Sequence, residues 1–272
     1  MRVRSWLRTA FLASLLGAAG AQAQAQEQEQ EQEQEQERTS PPHHDEPDNG
    51  TDPTRVHRSV TVDFEHTDLR GGFTSDTLEV VYSQPLGSHT SLNVTVPFPS
   101  VDVAGDAAMG FGDVELLLSH IPVVTRTYGI VVKGGVTFDT ASRAELGDGQ
   151  TVLEATAIYA RFLPGGAIFA PSLEYNYGVD RDAGRDRVNR LTFDLYYVPK
   201  LKNRAYYMTL DPFVIADFAA GEQSAGLSVT LGRVLGPALG GRLQAYVKPS
   251  AYVGTDRGAN WGLEAGLKLL GF

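Results

Sequence analysis

The chain ends in the stretch Trp261-Gly262-Leu263-Glu264-Ala265-Gly266-Leu267-Lys268-Leu269-Leu270-Gly271-Phe272, in which apolar residues alternate with polar or small ones up to a terminal aromatic. A strand that crosses a membrane in a closed barrel shows this period of two, because one face contacts lipid and the other faces a polar interior. The stretch therefore predicts the last strand of a bacterial outer-membrane β-barrel, with Phe272 as the membrane-assembly signal.

The phase of this strand does not agree with its terminal aromatic. Alternate positions counted back from Phe272 are Leu270, Lys268, Gly266 and Glu264, whereas the apolar residues occupy the opposite phase, at Leu263, Ala265, Leu267 and Leu269. A shift of one residue moves every side chain to the other face. We therefore expect either a bulge near Leu269-Leu270 or a different presentation of Phe272.

The first 25 residues have the organisation of a cleaved signal peptide. Arginines at positions 2, 4 and 8 flank an apolar core at 6–19, and small residues follow at 21–25. The core is too short to span a bilayer as a helix, and no later stretch of 18 or more apolar residues occurs, which excludes a helical membrane protein. The chain has no cysteine, so no disulfide stabilises the exported product and no lipidated cysteine anchors it to a membrane.

Residues 26–54 predict a disordered periplasmic tether. Gln and Glu alternate strictly over 26–37, and the residues that follow are rich in Pro, His, Asp and Glu. Such a composition cannot bury enough apolar surface to fold. The alternative is a cation-binding or cell-wall-contacting tail, with His43, His44, Asp45 and Glu46 as ligands. The formal net charge of −10 argues against nucleic acid as a partner, because phosphate binding needs a basic face.

From residue 55 to residue 272 the chain divides into alternating segments of about ten residues, the length that a tilted strand needs to cross the hydrocarbon. The predicted fold is an all-β, transmembrane, antiparallel up-and-down β-barrel of about twelve strands, with long outer loops at the odd connections and tight inner turns at the even ones. The segments are centred on 60–64, 78–82 and 92–98 and continue at 112–121, 127–139, 151–162, 167–178, 188–198, 204–217, 224–234, 241–253 and 260–272.

The rival fold is a secreted β-sandwich, which also has short alternating strands and a signal peptide. The polar positions favour the barrel, since they are mostly Ser, Thr, Asn, Gly and isolated charges, as a wide lumen requires. Aromatic residues near the predicted strand ends, such as Tyr82, Tyr177, Tyr252 and Trp261, favour it as well, because aromatic side chains prefer the two membrane interfaces.

Two segments resemble a known family. The run Gly110-Phe111-Gly112-Asp113-Val114-Glu115-Leu116-Leu117-Leu118, then Gly134-Gly135-Val136-Thr137-Phe138-Asp139-Thr140 leading to Gly147-Asp148-Gly149, is similar to the MetA-pathway of phenol degradation family. The resemblance extends over about residues 58–272. It implies an outer-membrane barrel related to transporters for hydrophobic or aromatic compounds, and it implies no catalytic residues.

Charged residues within the strands should face the lumen, because a charge at the bilayer midplane costs roughly 2 to 4 kcal/mol. One role for these charges is to pair with one another across the lumen and rigidify the barrel. The alternative is that acidic residues near Asp113 and Glu115, opposed by Lys133, set the charge selectivity of a pore, which would then favour cations or neutral solutes. Further lumen-facing positions are Asp63, Glu65, Glu154, Arg190, Glu264 and Lys268. The pore-lining candidates are Glu79, Asp113, Glu115, Lys133, Glu174, Asp194, Arg242 and Lys248.

These features predict an outer-membrane channel or transporter for small solutes, in particular hydrophobic or aromatic ones. No catalytic residue, cofactor or metal is expected. The expected partners are outer-membrane lipid and lipopolysaccharide, the barrel assembly machinery and the solute. One alternative is a barrel enzyme acting on lipid or peptide at the cell surface, with His66 near Asp68 and Ser75 as the candidate constellation. The other is a non-conducting structural protein.

Overall fold

The computed structural model describes residues 49–103, 106–254 and 257–272. Apart from one 3-10 turn at Ala144–Leu146, the regular structure of these residues is entirely β, and no helix among them is long and apolar enough to cross a membrane. The strands are β1 (Ser59–Leu69), β2 (Thr74–Pro85), β3 (Thr90–Val103), β4 (Asp106–Met109), β5 (Glu115–Val124), β6 (Tyr128–Thr137), β7 (Val152–Phe162), β8 (Ile168–Gly178), β9 (Asn189–Val198), β10 (Tyr206–Asp217), β11 (Glu222–Ala238), β12 (Gly241–Val253) and β13 (Ala259–Leu270).

Twelve of these strands close into a barrel, which confirms the predicted fold. Each strand from β5 to β13 pairs antiparallel with the next, β13 pairs with β1, and β1, β2, β3 and β5 complete the circle. The short strand β4 pairs with the end of β3 and lies outside this circle. A closed sheet satisfies every ladder hydrogen bond internally, which a membrane requires.

The two faces of the sheet differ as a membrane barrel demands. In β13 the odd positions face outward, where Leu263 and Leu267 are 45% and 51% exposed, while Glu264 faces inward. The other strands follow the same alternation, so large apolar side chains cover the exterior and contact hydrocarbon rather than a protein core. Examples around the barrel are Phe64, Leu78, Leu118, Leu173, Phe193, Val214, Leu231 and Val247.

Aromatic side chains lie at both ends of this apolar exterior. Near the inner end Tyr128 stacks on Tyr159, with ring centroids 5.7 Å apart, and near the outer end Tyr175 stacks on Tyr177 at 6.3 Å. Amphipathic rings at these levels anchor a barrel at the lipid–water interfaces. Tyr252 differs from the expectation, because its position opposite Gly226 directs it into the lumen.

The last strand resolves its phase conflict without a bulge near Leu269-Leu270, and its one register shift against β1 lies at the other end, between Asp68 and Leu69. β13 pairs with β1 in continuous register from Ser59↔Leu270 to Asp68↔Trp261, and it ends at Leu270, which is buried on the inner face. Gly271 then adopts φ +71, and its amide donates a hydrogen bond to the carbonyl oxygen of Arg58 at 2.8 Å. This left-handed residue releases Phe272 from the alternation of the strand, which is the second of the two expected solutions.

The predicted alternation of loop lengths holds in part. The outer connections at 138–151 and 179–188 are long and the inner turns at 86–89, 125–127 and 239–240 are short, but the inner connection at 199–205 is longer than several outer ones. The outer connections at 70–73 and 218–221 are as short as the inner ones. There the flanking strands continue to pair up to the turn, as in Asp217↔Glu222, so little chain remains for a loop.

The inner turn between β11 and β12 contains the one described non-glycine residue with positive φ, Leu239, at +48 and 88% exposed. With Gly240 at +84 it forms a two-residue hairpin in which both central residues are left-handed, a turn that prefers Asn-Gly. We expect Leu239→Asn to stabilise the barrel by about 1 kcal/mol, because a left-handed residue with a bulky side chain costs roughly that much. The measurement is the urea midpoint of unfolding from lipid vesicles.

Leu86→Asn is the matched control for this prediction. Leu86 is also an exposed leucine in an inner turn, but its φ is not positive. It should give no gain in the urea midpoint. An equal gain from both variants would show that replacing an exposed leucine by a polar residue, and not the backbone conformation of Leu239, causes the effect.

Candidate functional site

Carboxylates from most of the barrel strands converge on the middle of the lumen. We call this set the acidic girdle: it lies at inward positions of β1, β2, β5, β7, β8, β9, β10 and β13, because a charge inside a strand avoids the lipid face. Its members are Asp63, Glu65, Glu79, Glu115, Glu154, Glu174, Asp194, Asp211 and Glu264.

Like charges lie directly opposite each other in the girdle. Asp63 pairs in register with Glu79, and Glu65 pairs with Glu264. Cross-strand pairs of like charge destabilise a sheet by up to about 1 kcal/mol relative to neutral pairs. The fold therefore carries an electrostatic cost at this level of the lumen.

Two lysines offset a small part of this negative charge. Lys248 Nζ lies 2.8 Å from Glu264 Oε2, and the Tyr246 hydroxyl donates to Glu264 Oε1 at 2.6 Å. Lys133 lies on β6, in register between Ser119 of β5 and Thr156 of β7. Most girdle carboxylates instead accept hydrogen bonds from neutral groups, as Asp194 does from the Ser172 hydroxyl at 3.0 Å. The lumen therefore keeps a strong excess of negative charge.

Aromatic rings cover the wall formed by β10, β11 and β12. Tyr207, Phe213 and Tyr246 lie flat over Gly232, Gly226 and Gly266 of the neighbouring strands, where a Cβ would overlap the rings. The Phe213 ring also meets the edge of the Tyr252 ring, with centroids 5.6 Å apart. We call these four residues, Tyr207, Phe213, Tyr246 and Tyr252, the aromatic wall. The glycines leave the space that lets large rings line the lumen instead of blocking it.

Most predicted pore-lining residues lie together at the girdle level: Glu79, Glu115, Lys133, Glu174, Asp194 and Lys248. Arg242 lies apart from them, at the inner end of β12 and opposite Leu270. Asp211 was missed, although the alternation of Tyr207, Thr209, Asp211 and Phe213 in β10 is a signal that could have found it.

Asp113 lies outside the strands and organises an outer loop. Its Oδ1 accepts hydrogen bonds from the amides of Thr140 and Ala141, both at 2.9 Å, and its Oδ2 accepts one from the amide of Asp148 at 2.8 Å. The structure therefore separates Asp113 from the lumen level that contains Glu115. Nearby, partial desolvation and then the carboxylates of Asp113, Asp182 and Asp180 raise the pKa of Asp139.

We expect Asp113→Ala to loosen the loop at 138–151 and to leave ion selectivity unchanged. Three backbone amides lose a charged acceptor, and such bonds contribute about 1.5 to 3 kcal/mol each. Protease cleavage of the folded barrel in vesicles measures the effect. Asp148→Ala is the control, because Asp148 contributes its backbone amide to this contact and not its carboxylate. Equal cleavage of both variants would contradict the assigned role of Asp113.

Residues 49–58, here called the mouth segment, pack onto the inner end of the barrel. This finding extends the folded unit beyond the predicted boundary at residue 55. The segment is shaped by two side-chain turns: Asn49 Oδ1 accepts from the amide of Thr51 at 3.1 Å, and Asp52 Oδ1 accepts from the amide of Thr54 at 2.9 Å. Such turns replace regular backbone pairing.

The mouth segment crosses the opening of the barrel. Thr54 is buried against Gly129 at the inner end of β6, where a Cβ would overlap its methyl group. The Tyr196 hydroxyl of β9 donates to the carbonyl oxygen of Thr51 at 3.2 Å, and Gly50 lies beside Lys268 of β13. Since β6 and β9 are several strands away from β13 and β1 in the sheet, the segment passes across the mouth and back and narrows the lumen.

The structure does not assemble the predicted constellation of a barrel enzyme. His66 faces outward, its Nδ1 lies 2.7 Å from Asp76 Oδ1, and its ring packs against Trp261. Asp68 instead accepts a hydrogen bond from Asn260, and Ser75 belongs to the opposite, inward face. The pair of His66 and Asp76 therefore has no contact with Ser75, the serine that the prediction placed beside His66. The tail residues His43, His44, Asp45 and Glu46 lie outside the described residues.

Solved outer-membrane channels and porins share this fold. The chain is similar to the COG4313 outer membrane channel from Pseudomonas putida F1, with a TM-score of 0.60, 12% identity and coverage of 82% of this chain and 99% of that one. The NanC porin has a TM-score of 0.55 at 9% identity, with coverage of 79% of this chain and 98% of that one. The KdgM porin has a TM-score of 0.52 at 11% identity, with coverage of 78% of this chain and 98% of that one. At these identities the likeness shows the fold alone. No family profile and no curated protein sequence matches the chain, so the MetA resemblance stays a prediction.

Proposed function

We propose that the protein is a passive outer-membrane channel for small solutes and that its lumen favours cations over anions. The observation that carries this proposal is the acidic girdle. Carboxylates face one another there at a cost to folding, and a ring of charge in a pore selects ions of opposite sign. The lipid-facing exterior and the fold shared with channels and porins support the outer membrane as its location, in contact with lipid and lipopolysaccharide.

The aromatic wall supports a finer proposal about the solute. The faces of Tyr and Phe rings attract organic cations, and their apolar surface receives aromatic groups. The wall lies on β10–β12, while most carboxylates lie on the rest of the circumference. A small organic cation with an aromatic group would find both partners at one level of the lumen. Transport of hydrophobic or aromatic compounds is also what the MetA resemblance implies.

Uptake into liposomes with permanently charged solutes tests both parts. Phenyltrimethylammonium should enter protein-containing vesicles fastest, neutral phenyl β-glucoside more slowly, and benzenesulfonate slowest. Choline, a cation without a ring, is the control for the aromatic wall and should enter more slowly than phenyltrimethylammonium. Uptake equal to that of empty vesicles would favour a structural protein, and faster entry of benzenesulfonate would contradict the charge preference.

A further inference from the structure

A cavity of about 270 Å³ lies in the lumen beside the mouth segment. Residues 49–51 form one side of it, where the Lys268 ammonium lies against Gly50, and inward positions of β1 and β9–β13 form the rest. We call this cavity the lumen pocket. Its volume is at the lower end of small-molecule sites, which begin at about 300 Å³. The lumen pocket therefore has the size for a small organic molecule.

One carboxylate of the lumen pocket is not satisfied by the wall that holds it. Asp211 Oδ1 is buried and accepts no hydrogen bond from the residues that the structure describes. Glu264, the other carboxylate of the lining, accepts from Lys248 at 2.8 Å and from the Tyr246 hydroxyl at 2.6 Å. A buried carboxylate without a donor is costly, so Asp211 favours a cationic donor that enters the pocket.

Hydroxyl groups lie next to Asp211 on the same face of the sheet. Thr209 precedes it on β10, and Ser228 and Thr230 lie opposite on β11, with Ser228 in direct register with Asp211. All three hydroxyls belong to the lining of the lumen pocket. Hydroxyl oxygens accept hydrogen bonds, and a primary ammonium group has three N–H donors and no acceptor. The surroundings of Asp211 therefore match a primary ammonium group better than a quaternary one, which has no donor.

Two rings of the aromatic wall complete the lumen pocket. Tyr207 lies over Gly232 of β11, and Tyr246 lies over Gly266 of β13. Ring faces of this kind attract an aromatic group by stacking and a cation by its charge. An aromatic amine thus has a partner in the pocket for each of its two ends.

We propose that the lumen pocket binds a small aromatic primary amine, with its ammonium group at Asp211 and its ring against Tyr207 and Tyr246. The inference rests on the proposed function for the route by which the solute enters, and it adds a specific site and a specific head group. The acidic girdle selects by charge alone, so it admits quaternary and primary ammonium ions alike. The lumen pocket distinguishes the two by their N–H donors.

Binding of three matched probes to the full chain in lipid nanodiscs tests the proposal. The probes are para-fluorophenethylamine, its trimethylammonium derivative and para-fluorophenethyl alcohol, which share one ring and differ in the head group. Broadening of the fluorine NMR signal gives each dissociation constant after subtraction of the broadening by empty nanodiscs. We expect the primary amine to bind about tenfold more tightly than either other probe, because a hydrogen bond to a charged group changes an equilibrium constant by about that factor or more.

Two variants and one control define the outcome. Asp211→Asn keeps the shape of the side chain and removes its charge, so it should weaken binding of the amine about tenfold and leave binding of the alcohol unchanged. Thr209→Val removes one acceptor at nearly constant shape and should weaken binding of the amine by a smaller factor. Glu222→Gln is the control, because it removes one negative charge from the exposed outer end of β11, outside the pocket, and it should bind like the unmodified protein. Folding of every variant is checked by heat-modifiable gel mobility.

Four results would overturn the proposal. The amine could bind no more than it does to empty nanodiscs, or it could bind Asp211→Asn as tightly as the unmodified protein, so that Asp211 is not its anchor. The trimethylammonium derivative could bind equally well, so that the pocket recognises charge and not N–H donors. The alcohol could bind most tightly, so that the pocket takes a neutral solute.

These outcomes are separable from a failure of the proposed function. Each of them can occur while the purified protein keeps a cation-selective conductance, in which case the channel stands and the pocket assignment is wrong. Binding of the amine at Asp211 without any conductance would contradict the channel and not the pocket.

Discussion

Removal of the mouth segment should raise single-channel conductance by about twofold or more, because the conductance of a barrel follows its narrowest free cross-section. The segment is held across the inner opening by Thr54 against Gly129 and by the hydrogen bond from Tyr196 to Thr51. The variant lacks residues 26–56, which include most of the mouth segment and both of these contacts. The measurement is single-channel recording in planar bilayers.

The matched control lacks residues 26–48 and retains the mouth segment. Both variants lack residues 26–48, so any difference in conductance between them belongs to residues 49–56. Tyr196→Phe in the full chain gives an independent check. It removes the hydrogen bond to Thr51 and should increase current fluctuations without a change in the largest open level. Equal conductance of the two deletions would show that the mouth segment does not narrow the pathway.

Neutralising four of the nine carboxylates of the acidic girdle should weaken the preference for cations. We expect Glu79→Gln, Glu115→Gln, Glu154→Gln and Glu174→Gln, combined in one protein, to shift the reversal potential in a KCl gradient from the potassium side toward zero. The shift arises because Lys133 and Lys248 then face five carboxylates instead of nine. The variant should also unfold at higher urea concentration, since each relieved like-charge contact contributes up to about 1 kcal/mol.

A second variant controls for overall charge. Glu145→Gln with Asp186→Asn removes negative charge from exposed outer-loop residues and leaves the lumen intact. Its reversal potential should stay close to that of the unmodified protein. If the fourfold girdle variant also kept its reversal potential, the inward carboxylates would have no part in ion selection and the proposed function would lose its main support.

The architecture of the barrel was predictable from alternation alone. Each predicted segment overlaps an observed barrel strand, and the boundaries of 151–162, 167–178 and 241–253 differ little from those of β7, β8 and β12. Lipid on one side and a polar lumen on the other impose the period of two on every strand. The short strand β4 and the presentation of Phe272 were not fixed by that rule, because they depend on loop pairing and on the left-handed conformation of Gly271.

The candidate site was predictable in part. Six of the eight pore-lining candidates share the girdle level, because a charged residue inside a strand must turn away from lipid. Asp113 was assigned with them, but it precedes β5 and accepts amides of an outer loop. Neither the aromatic wall nor the mouth segment was predictable, since both depend on contacts between strands or segments distant in sequence, such as Tyr207 over Gly232 and Thr54 against Gly129.

The barrel thus places two charged zones in series along one pathway. The girdle in the middle is acidic, and the cavity at the inner mouth is basic, because Arg55, Arg126, Arg161, Lys200 and Arg204 line it. A cation that enters from outside first meets attraction in the lumen and then a narrowed exit. An anion that approaches from the inner side is attracted by the basic cavity and then repelled by the acidic girdle.

The most direct measurement is the reversal potential of the purified, unmodified protein in a planar bilayer with a KCl gradient. A watery lumen with an excess of carboxylates predicts discrete conductance steps and a reversal potential displaced toward the equilibrium potential of potassium. The absence of conductance, or a displacement toward the equilibrium potential of chloride, would contradict the account.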